Sequence, residues 1–439
     1  MKVHVTPVKR LAGTLEVPGD KSISHRAAVF GALAEGRTEI TGFLEGEDCL
    51  NTLRAVRALG AGVTRKGPGH YLVDGAGLAG LSEPEDVIDC GNSGTTARLL
   101  LGVLAGQPFW TVLTGDDSLR RRPMGRVAEP LRAMGATVVG RDGGTRLPLA
   151  VGGARPLKAL AYRSPVASAQ VKTALLLAGL WADGPVTVEE PAPSRDHTER
   201  MLLFFGARLD VAPRRVTLTP GAPLAGQPVA VPGDISSAAF FLVAGAAARE
   251  ARVTVRGVGV NPTRTGVVDA LRAMGAHVTA VGGSAASGSG EPSGDLTVTT
   301  GPLHGTQVGG ELIPRLIDEI PALAVVACAA DGVTVIRDAA ELRVKESDRI
   351  AALAAQLGRM GADIAERPDG LEIRGGRKLR GAVVQSGGDH RMAMALIVAG
   401  LTADGPSVVE DTACIATSFP GFLPTLNALA GAPCAVEQP

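Results

Sequence analysis

Aromatic side chains are scarce in this 439-residue chain: two Trp, two Tyr and nine Phe, 3% of the whole. So thin a supply argues against the stacked-ring platforms that bind single-stranded nucleic acid. Neither sign of charge is in excess, because 44 basic residues face 44 acidic ones. A nucleic-acid binder working through overall basicity is thereby disfavoured, and any anion site must be a local cluster. Cysteine is sparse: Cys49, Cys90, Cys328, Cys414 and Cys434 lie far apart, without a Cys-x-x-Cys pair. That pattern reads as reduced, buried thiols of a cytosolic protein. The seven histidines lack metal-ligand spacing. No apolar run approaches the roughly 20 residues of a membrane span. Met1-Lys2-Val3-His4-Val5 reads directly as a strand and not as a signal peptide.

What is present begins at Lys21-Ser22-Ile23-Ser24-His25-Arg26, behind the turn Pro18-Gly19-Asp20. A strand, Leu15-Glu16-Val17, precedes the turn, and an apolar helix is expected through about Leu33. Lys21 and Ser22 then sit at a helix N-terminus, where free N–H groups and the helix dipole favour an anion. Ser22 and Arg26 share one face. Ammonium, hydroxyl and guanidinium could serve one phosphate or carboxylate. A capped helix with solvated charges is the plainer alternative. The spacing is not that of a nucleotide P-loop.

Two signatures recur six times. One ends a helix with Gly-Ala: Gly60-Ala61, Gly135-Ala136, Gly206-Ala207, Gly275-Ala276, Gly361-Ala362 and Gly431-Ala432, spaced by about 70 to 85 residues. Gly there is the expected left-handed cap. About 40 residues before most copies, a turn opens an apolar helix: Pro18-Gly19-Asp20, Cys90-Gly91-Asn92-Ser93, Ser164 to Ser168, Pro232-Gly233-Asp234, Ile317-Asp318-Glu319 and Gly387-Gly388-Asp389. With short β-branched runs after each Gly-Ala, every repeat reads as strand, helix, strand, helix and two strands, an α/β class. Val229 to Asp234 echoes Leu15 to Asp20. Two lobes of three repeats are therefore expected, one of residues 1–18 and 232–439 and the other of 19–231. The Gly/Ser-rich tract Gly282 to Gly294 reads as an exposed loop within a strand pair.

Polar groups gather at the helix starts, where structure alone would need only a cap. Asn92-Ser93-Gly94 places a glycine where backbone must approach something closely. Ser168-Ala169-Gln170-Val171-Lys172 opens a helix with hydrogen-bonding groups. Asp318 reads alone as an N-cap, and Asp389-His390-Arg391 as a cap with a cation attached. Arg120-Arg121-Arg122 reads alone as a solvated face. Leu342 to Ile350 reads as a helix whose Lys345, Glu346 and Arg349 could form surface ion pairs. Together these sets suit small phosphorylated acids, with Asp318, Glu346, Lys21 and His390 as acid–base groups.

Pro18-Gly19-Asp20-Lys21-Ser22, Gly91-Asn92-Ser93-Gly94-Thr95, Arg343 to Arg349 and Asp389-His390-Arg391-Met392-Ala393 strongly resemble the 5-enolpyruvylshikimate-3-phosphate synthase family. The likeness covers essentially the whole chain. It implies two lobes of three βαβαββ units, the enolpyruvyl transferase fold, inverse α/β barrel-like, with the active site in the interlobe cleft. It also implies transfer of enolpyruvyl from phosphoenolpyruvate to the 5-hydroxyl of shikimate-3-phosphate, without metal or organic cofactor, by a cytoplasmic monomer. By resemblance, Lys21, Ser22, Arg26, Ser168, Gln170, Asp318 and Lys345 hold shikimate-3-phosphate. Lys21, Gly94, Arg122, Gln170, Arg349 and Arg391 hold phosphoenolpyruvate, and Asn92 and Ala169 are further expected substrate-binding residues. Asp318 is the implied base on the 5-hydroxyl, and Glu346, with Lys21 and His390, handles the proton at the vinyl carbon.

Ser194 to Glu199, Ser168 to Lys172 and Asn261-Pro262-Thr263-Arg264 resemble the class II branch, from which Arg195 is carried over as a further shikimate-3-phosphate ligand. That branch is often glyphosate-tolerant, whereas Gly94 is typical of sensitive members. Thr417 stands where many members have a phosphate-binding lysine. Two rivals remain. The enolpyruvyl transferase acting on UDP-N-acetylglucosamine has a Lys-Asn start and a loop cysteine, but here Lys21 precedes Ser22 and Gly115 to Gly125 holds no cysteine. A non-catalytic anion-binding protein on this fold would need the acid–base groups lost.

Overall fold

The computed structural model describes residues 1–282 and 290–438. The chain divides into two compact units. A terminal unit holds residues 1–18, 232–282 and 292–438, and an inserted unit holds 19–231 with 290 and 291.

Among the described residues six sheets of four strands are formed, and each is open, so the expected barrel-like character does not extend to any closed sheet there. One sheet illustrates the pattern. Leu160–Arg163 lies parallel to Val186–Glu189, which pairs antiparallel with Arg215–Thr219, and Arg208–Ala212 is added antiparallel at the edge. A parallel pair needs a crossover, and a helix supplies it. Two sheets are completed by strands from either side of a chain crossing. Arg10–Glu16 runs parallel to Glu250–Gly259, while Pro228–Ala230 runs parallel to Glu35–Thr41. The strand just ahead of Lys21 therefore lies in the terminal unit's sheet, not in the sheet its sequence neighbour serves.

The crossover helices are the heart of each unit. In the inserted unit they are α1 (Lys21–Leu33), α2 (Gly94–Ala105) and α3 (Ala169–Gly179). In the terminal unit they are α4 (Ile235–Ala247), α5 (Ile320–Ala329) and α6 (His390–Thr402). All six are buried on nearly every side, as expected of helices that are apolar all round. Close approach is built in at Gly102 of α2, where a Cβ would lie 2.2 Å from the Ala174 carbonyl oxygen of α3. Each unit has its own apolar core.

Six outer helices cover the sheets, among them Gly125–Ala133, His197–Phe204 and Arg349–Arg359. After each of the six stands its Gly-Ala glycine, at φ between +67° and +103°. The cap role expected of these residues is therefore met. His277–Gly282 pairs antiparallel with Ser293–Thr299, as the strand pair around the Gly/Ser tract requires. Residues 283–289 of the expected loop lie outside the described residues. None of the five cysteines is in a disulfide; four are buried, but Cys414 is only partly so.

Gly135 isolates the backbone term, because its φ is +103° and a Cβ there would meet nothing within 4 Å. Gly135→Ala should therefore destabilise the protein by about 1 kcal/mol, measured as a lowered denaturant midpoint at unchanged m-value.

Candidate active site

In the inserted unit three helix starts carry the polar groups. The Asp20 carboxylate accepts the Ile23 N–H at 3.0 Å and so fixes the first turn of α1. Lys21 pairs its ammonium with the Asp48 carboxylate. One turn on, Arg26 is buried: Nη1 donates to the Ser22 carbonyl at 2.9 Å, Nε to Thr198 Oγ1 at 2.7 Å and Nη2 to Thr173 Oγ1 at 2.7 Å. Burial lowers its pKa to about 10, with Arg195 adding to the shift against Glu199 and Asp20. Arg26 thus stays charged at neutral pH, with a second cation near it.

At α2, the Ser93 hydroxyl accepts the Thr96 N–H at 3.1 Å. Arg122 Nη2 donates to Asn92 Oδ1 at 2.6 Å, and Asn92 Nδ2 donates to Asp116 at 2.6 Å. Gln170, at the start of α3, donates to Thr95 Oγ1 at 3.0 Å and accepts from Arg98 at 2.9 Å. Asn92, Gly94, Arg122 and Gln170 are thereby brought together. A Cβ on Gly94 would lie 2.7 Å from one Arg98 nitrogen and 3.5 Å from one of Arg122, so guanidinium groups press on the glycine. Ser168 precedes α3, but its hydroxyl reaches the Val171 N–H only at 3.5 Å, a weak cap. Ala169 is the first residue of α3, and the partly exposed Arg195 lies two residues before the helix His197–Phe204.

The terminal unit is organised around Arg349, which is 1% exposed. Its Nε donates to Asp389 Oδ2 at 2.8 Å, Nη2 to Glu346 Oε2 at 2.6 Å and Nη1 to Asp318 Oδ1 at 3.4 Å. Burial alone would lower the guanidinium pKa, but Asp389, Glu346 and Asp318 hold it above its ordinary value. Burial likewise opposes the Asp389 charge, and Arg349 outweighs it, so that carboxyl is held below its usual range. Lys345 Nζ lies 3.3 Å from Asp318 Oδ1. Arg391 Nη1 donates to the Asp318 carbonyl at 3.0 Å and lies 3.8 Å from the buried Glu319 carboxylate. His390 is the first residue of α6, and its predecessor Asp389 caps that helix. Asp318, Lys345, Glu346, Arg349, His390 and Arg391 thus belong to one neighbourhood.

Several local expectations need correction. Asp318 is not an N-cap: α5 starts at Ile320, its cap position is Glu319, and no side chain bonds there. The Asp318 carboxylate goes to Lys345 and Arg349 instead, because two cations outcompete a backbone N–H. Lys345 and Glu346 precede the helix, which begins at Arg349 behind the Asp348 cap. The ion pairs there are buried at Arg349, not a surface ladder. Of the three consecutive arginines only Arg122 is buried; Arg120 pairs with Asp117 in a short helix. Sequence reasoning did not single out Arg98, Glu190 or Glu319. Arg98 carried a signal, lying one turn beyond Gly94. The two glutamates follow a strand end and a turn, where their partners are set by packing alone.

Repeated βαβαββ units in two compact bodies, with cations and carboxylates at the starts of the central helices, define the fold of the enolpyruvyl transferases. A profile of EPSP synthase (3-phosphoshikimate 1-carboxyvinyltransferase) matches residues 5–426. The chain is 55% identical over 429 residues to the 3-phosphoshikimate 1-carboxyvinyltransferase of Desulforudis audaxviator, covering 98% of this chain and 99% of that one. It is 56% identical to that of Pelotomaculum thermopropionicum, over 96% and 97% of the two chains. An EPSP synthase structure from Acinetobacter baumannii matches with a TM-score of 0.88 at 44% identity over the full length of both chains. The chain belongs to the EPSP synthase family.

His25, behind Lys21, is fully buried; its Nδ1 is 2.7 Å from Thr52 Oγ1, which is 2.6 Å from Thr96 Oγ1. Burial first, then Lys21 and Arg26, hold its pKa well below 6.5. The unfolded chain therefore takes up a proton below pH ~6.5 that the folded chain refuses, and stability falls by up to about 1.4 kcal/mol per pH unit. In His25→Asn, which cannot titrate, the denaturant midpoint should fall less steeply than wild type between pH 7 and 5. Parallel slopes would refute the neutral buried imidazole.

Proposed function

We propose that this protein transfers the enolpyruvyl group of phosphoenolpyruvate to the 5-hydroxyl of shikimate-3-phosphate and releases phosphate. The observation that carries the reading is the Asp318 carboxylate held between Lys345 and Arg349 beside Glu346 and Arg391. Asp318 takes the proton of the 5-hydroxyl as that oxygen bonds to C2 of phosphoenolpyruvate. Glu346, with Lys21 and His390, delivers a proton to C3, giving a tetrahedral ketal. Loss of phosphate from C2 and of a proton from C3 then restores the vinyl ether. Lys21, Ser22, Arg26, Ser168, Ala169, Gln170, Arg195 and Lys345 bind shikimate-3-phosphate. Lys21, Asn92, Gly94, Arg122, Gln170, Arg349 and Arg391 bind phosphoenolpyruvate.

The electrostatics support this assignment. The two substrates carry on the order of five to six negative charges, at about −1.5 to −2 per phosphate. Arg349 is already matched by three carboxylates, so its guanidinium also fixes where Asp318 and Glu346 stand. Those carboxylates are placed to stabilise positive charge developing at C2. Phosphate release measured with shikimate-3-phosphate and with UDP-N-acetylglucosamine as acceptor tests the substrate. Turnover is expected with the first only, and turnover with the second alone would overturn the reading.

Asp318→Asn keeps the size of the side chain and removes the base. kcat should drop by about 10²–10⁴-fold while shikimate-3-phosphate still binds. Turnover near wild type would refute the role.

Gly94→Ala puts a methyl against Arg98 and Arg122, and the Arg98 guanidinium, as the end of a flexible side chain, moves first. Its bond to Gln170 is then disturbed at the phosphoenolpyruvate side. Glyphosate is the slightly longer of the two competing molecules. The substitution should raise the glyphosate inhibition constant by a larger factor than the KM for phosphoenolpyruvate. Equal factors would show that Gly94 does not discriminate between them.

A further inference from the structure

A buried charge cluster that the proposed chemistry does not use lies beside α3. Lys172, 4% exposed, is in the first turn of that helix, where the dipole disfavours a cation. Two buried carboxylates compensate: Lys172 Nζ is 2.9 Å from Glu190 Oε2 and 2.7 Å from Glu199 Oε1. Burial would lower the ammonium pKa, and Glu199 and Glu190 reverse that and raise it.

Glu190 does more than neutralise Lys172. Its Oε1 accepts the Ser168 backbone N–H at 2.9 Å, and its Oε2 accepts the Ser194 hydroxyl at 2.8 Å. One carboxylate therefore joins three points: the residue before α3, the first turn of α3 and the residue before Arg195. Arg195 in turn lies near enough to Arg26 for the two charges to oppose each other. The Ser194–Arg195 segment needs a fixed anchor to hold its cation there. Arg200 pairs with Asp196 at 2.8 Å, but this steadies the helix after Arg195, not the chain before it.

We propose that Glu190 is a positioning residue for Ser168 and Arg195 in shikimate-3-phosphate binding, an inference that rests on the functional reading above. Its geometry needs an acceptor at both oxygens. Glutamine offers one acceptor and turns an N–H₂ toward a donor, either the Ser168 N–H or the Ser194 and Lys172 pair. Lys172 keeps Glu199 in that variant, so its charge stays compensated.

The test compares Glu190→Gln and Ser194→Ala with wild type by calorimetric titration of shikimate-3-phosphate and by steady-state kinetics in both substrates. Glu190→Gln should weaken shikimate-3-phosphate binding and raise its KM roughly 5- to 100-fold, the range for a buried donor left unpaired. The KM for phosphoenolpyruvate should rise by a clearly smaller factor, since of its ligands only Gln170 lies at the start of α3, and that side chain is held from α2 by Arg98 and Thr95. Ser194→Ala should raise the shikimate-3-phosphate KM about three- to tenfold, and in an Arg195→Ala background should have no further effect. Unchanged binding in Glu190→Gln, an equal rise in both KM values, or full additivity of Ser194→Ala with Arg195→Ala would overturn the proposal. If Glu190→Gln fails to fold, the Ser194 pair decides alone. Wild-type protein that does not bind shikimate-3-phosphate would overturn the functional reading itself, and this inference with it.

Discussion

A helix that is apolar on every side can be buried along its length but not at its N-terminus, where unpaired N–H groups need acceptors. Six such helices form the hearts of the two units, and this constraint dictates where polarity goes. Asp20, Ser93, Asp234 and Asp389 satisfy backbone donors directly. Around them the chain places lysines, arginines and carboxylates that the flanks of the helices cannot accept. Polar side chains therefore gather at the helix starts, and residues from distant repeats meet there, as Arg349 meets Asp318 and Asp389.

One of those helix starts has no side-chain cap and another has only a long one, and both are informative. Before α5 neither Asp318 nor Glu319 caps the helix, and before α3 Ser168 does so only weakly. A carboxylate or hydroxyl committed to a backbone N–H would be less available to a ligand. Asp318 is held by side-chain cations and Ser168 by its own backbone N–H on Glu190, which fixes each residue without relying on a strong side-chain cap.

The repeat architecture was legible because its punctuation is chemical. Gly is needed wherever the chain turns left-handed after an outer helix, and Gly60, Gly135, Gly206, Gly275, Gly361 and Gly431 all do so. The motifs around Lys21, Gly94 and Asp389 were legible for the same reason, each combining a cap with an excess polar group. Helix limits near Lys345 were not, because Asp348 is as good a cap as any residue before it, and local sequence cannot show that Arg349 turns inward. Partners such as Glu190, Glu319 and Asp48 were not legible at all. A glutamate at a strand end looks the same whether it faces water or a buried lysine, and only packing decides.

Each unit contains a buried cation shared among carboxylates, Arg349 in one and Lys172 in the other, and the two differ in kind. Arg349 meets Asp389 through Nε and Nη2, Glu346 through Nη2 and Asp318 through Nη1, so its planar fork assigns each carboxylate a direction. Lys172 is a point charge that draws Glu190 and Glu199 close without orienting them. Orientation there comes from the neutral donors, the Ser168 N–H and the Ser194 hydroxyl. Burying either cation costs several kcal/mol of desolvation, recovered only through complete pairing. Under the proposed function, guanidinium geometry therefore suits the unit whose Asp318 would be aimed at a reacting hydroxyl. An ammonium suffices where the task is to hold two chain segments at a fixed spacing.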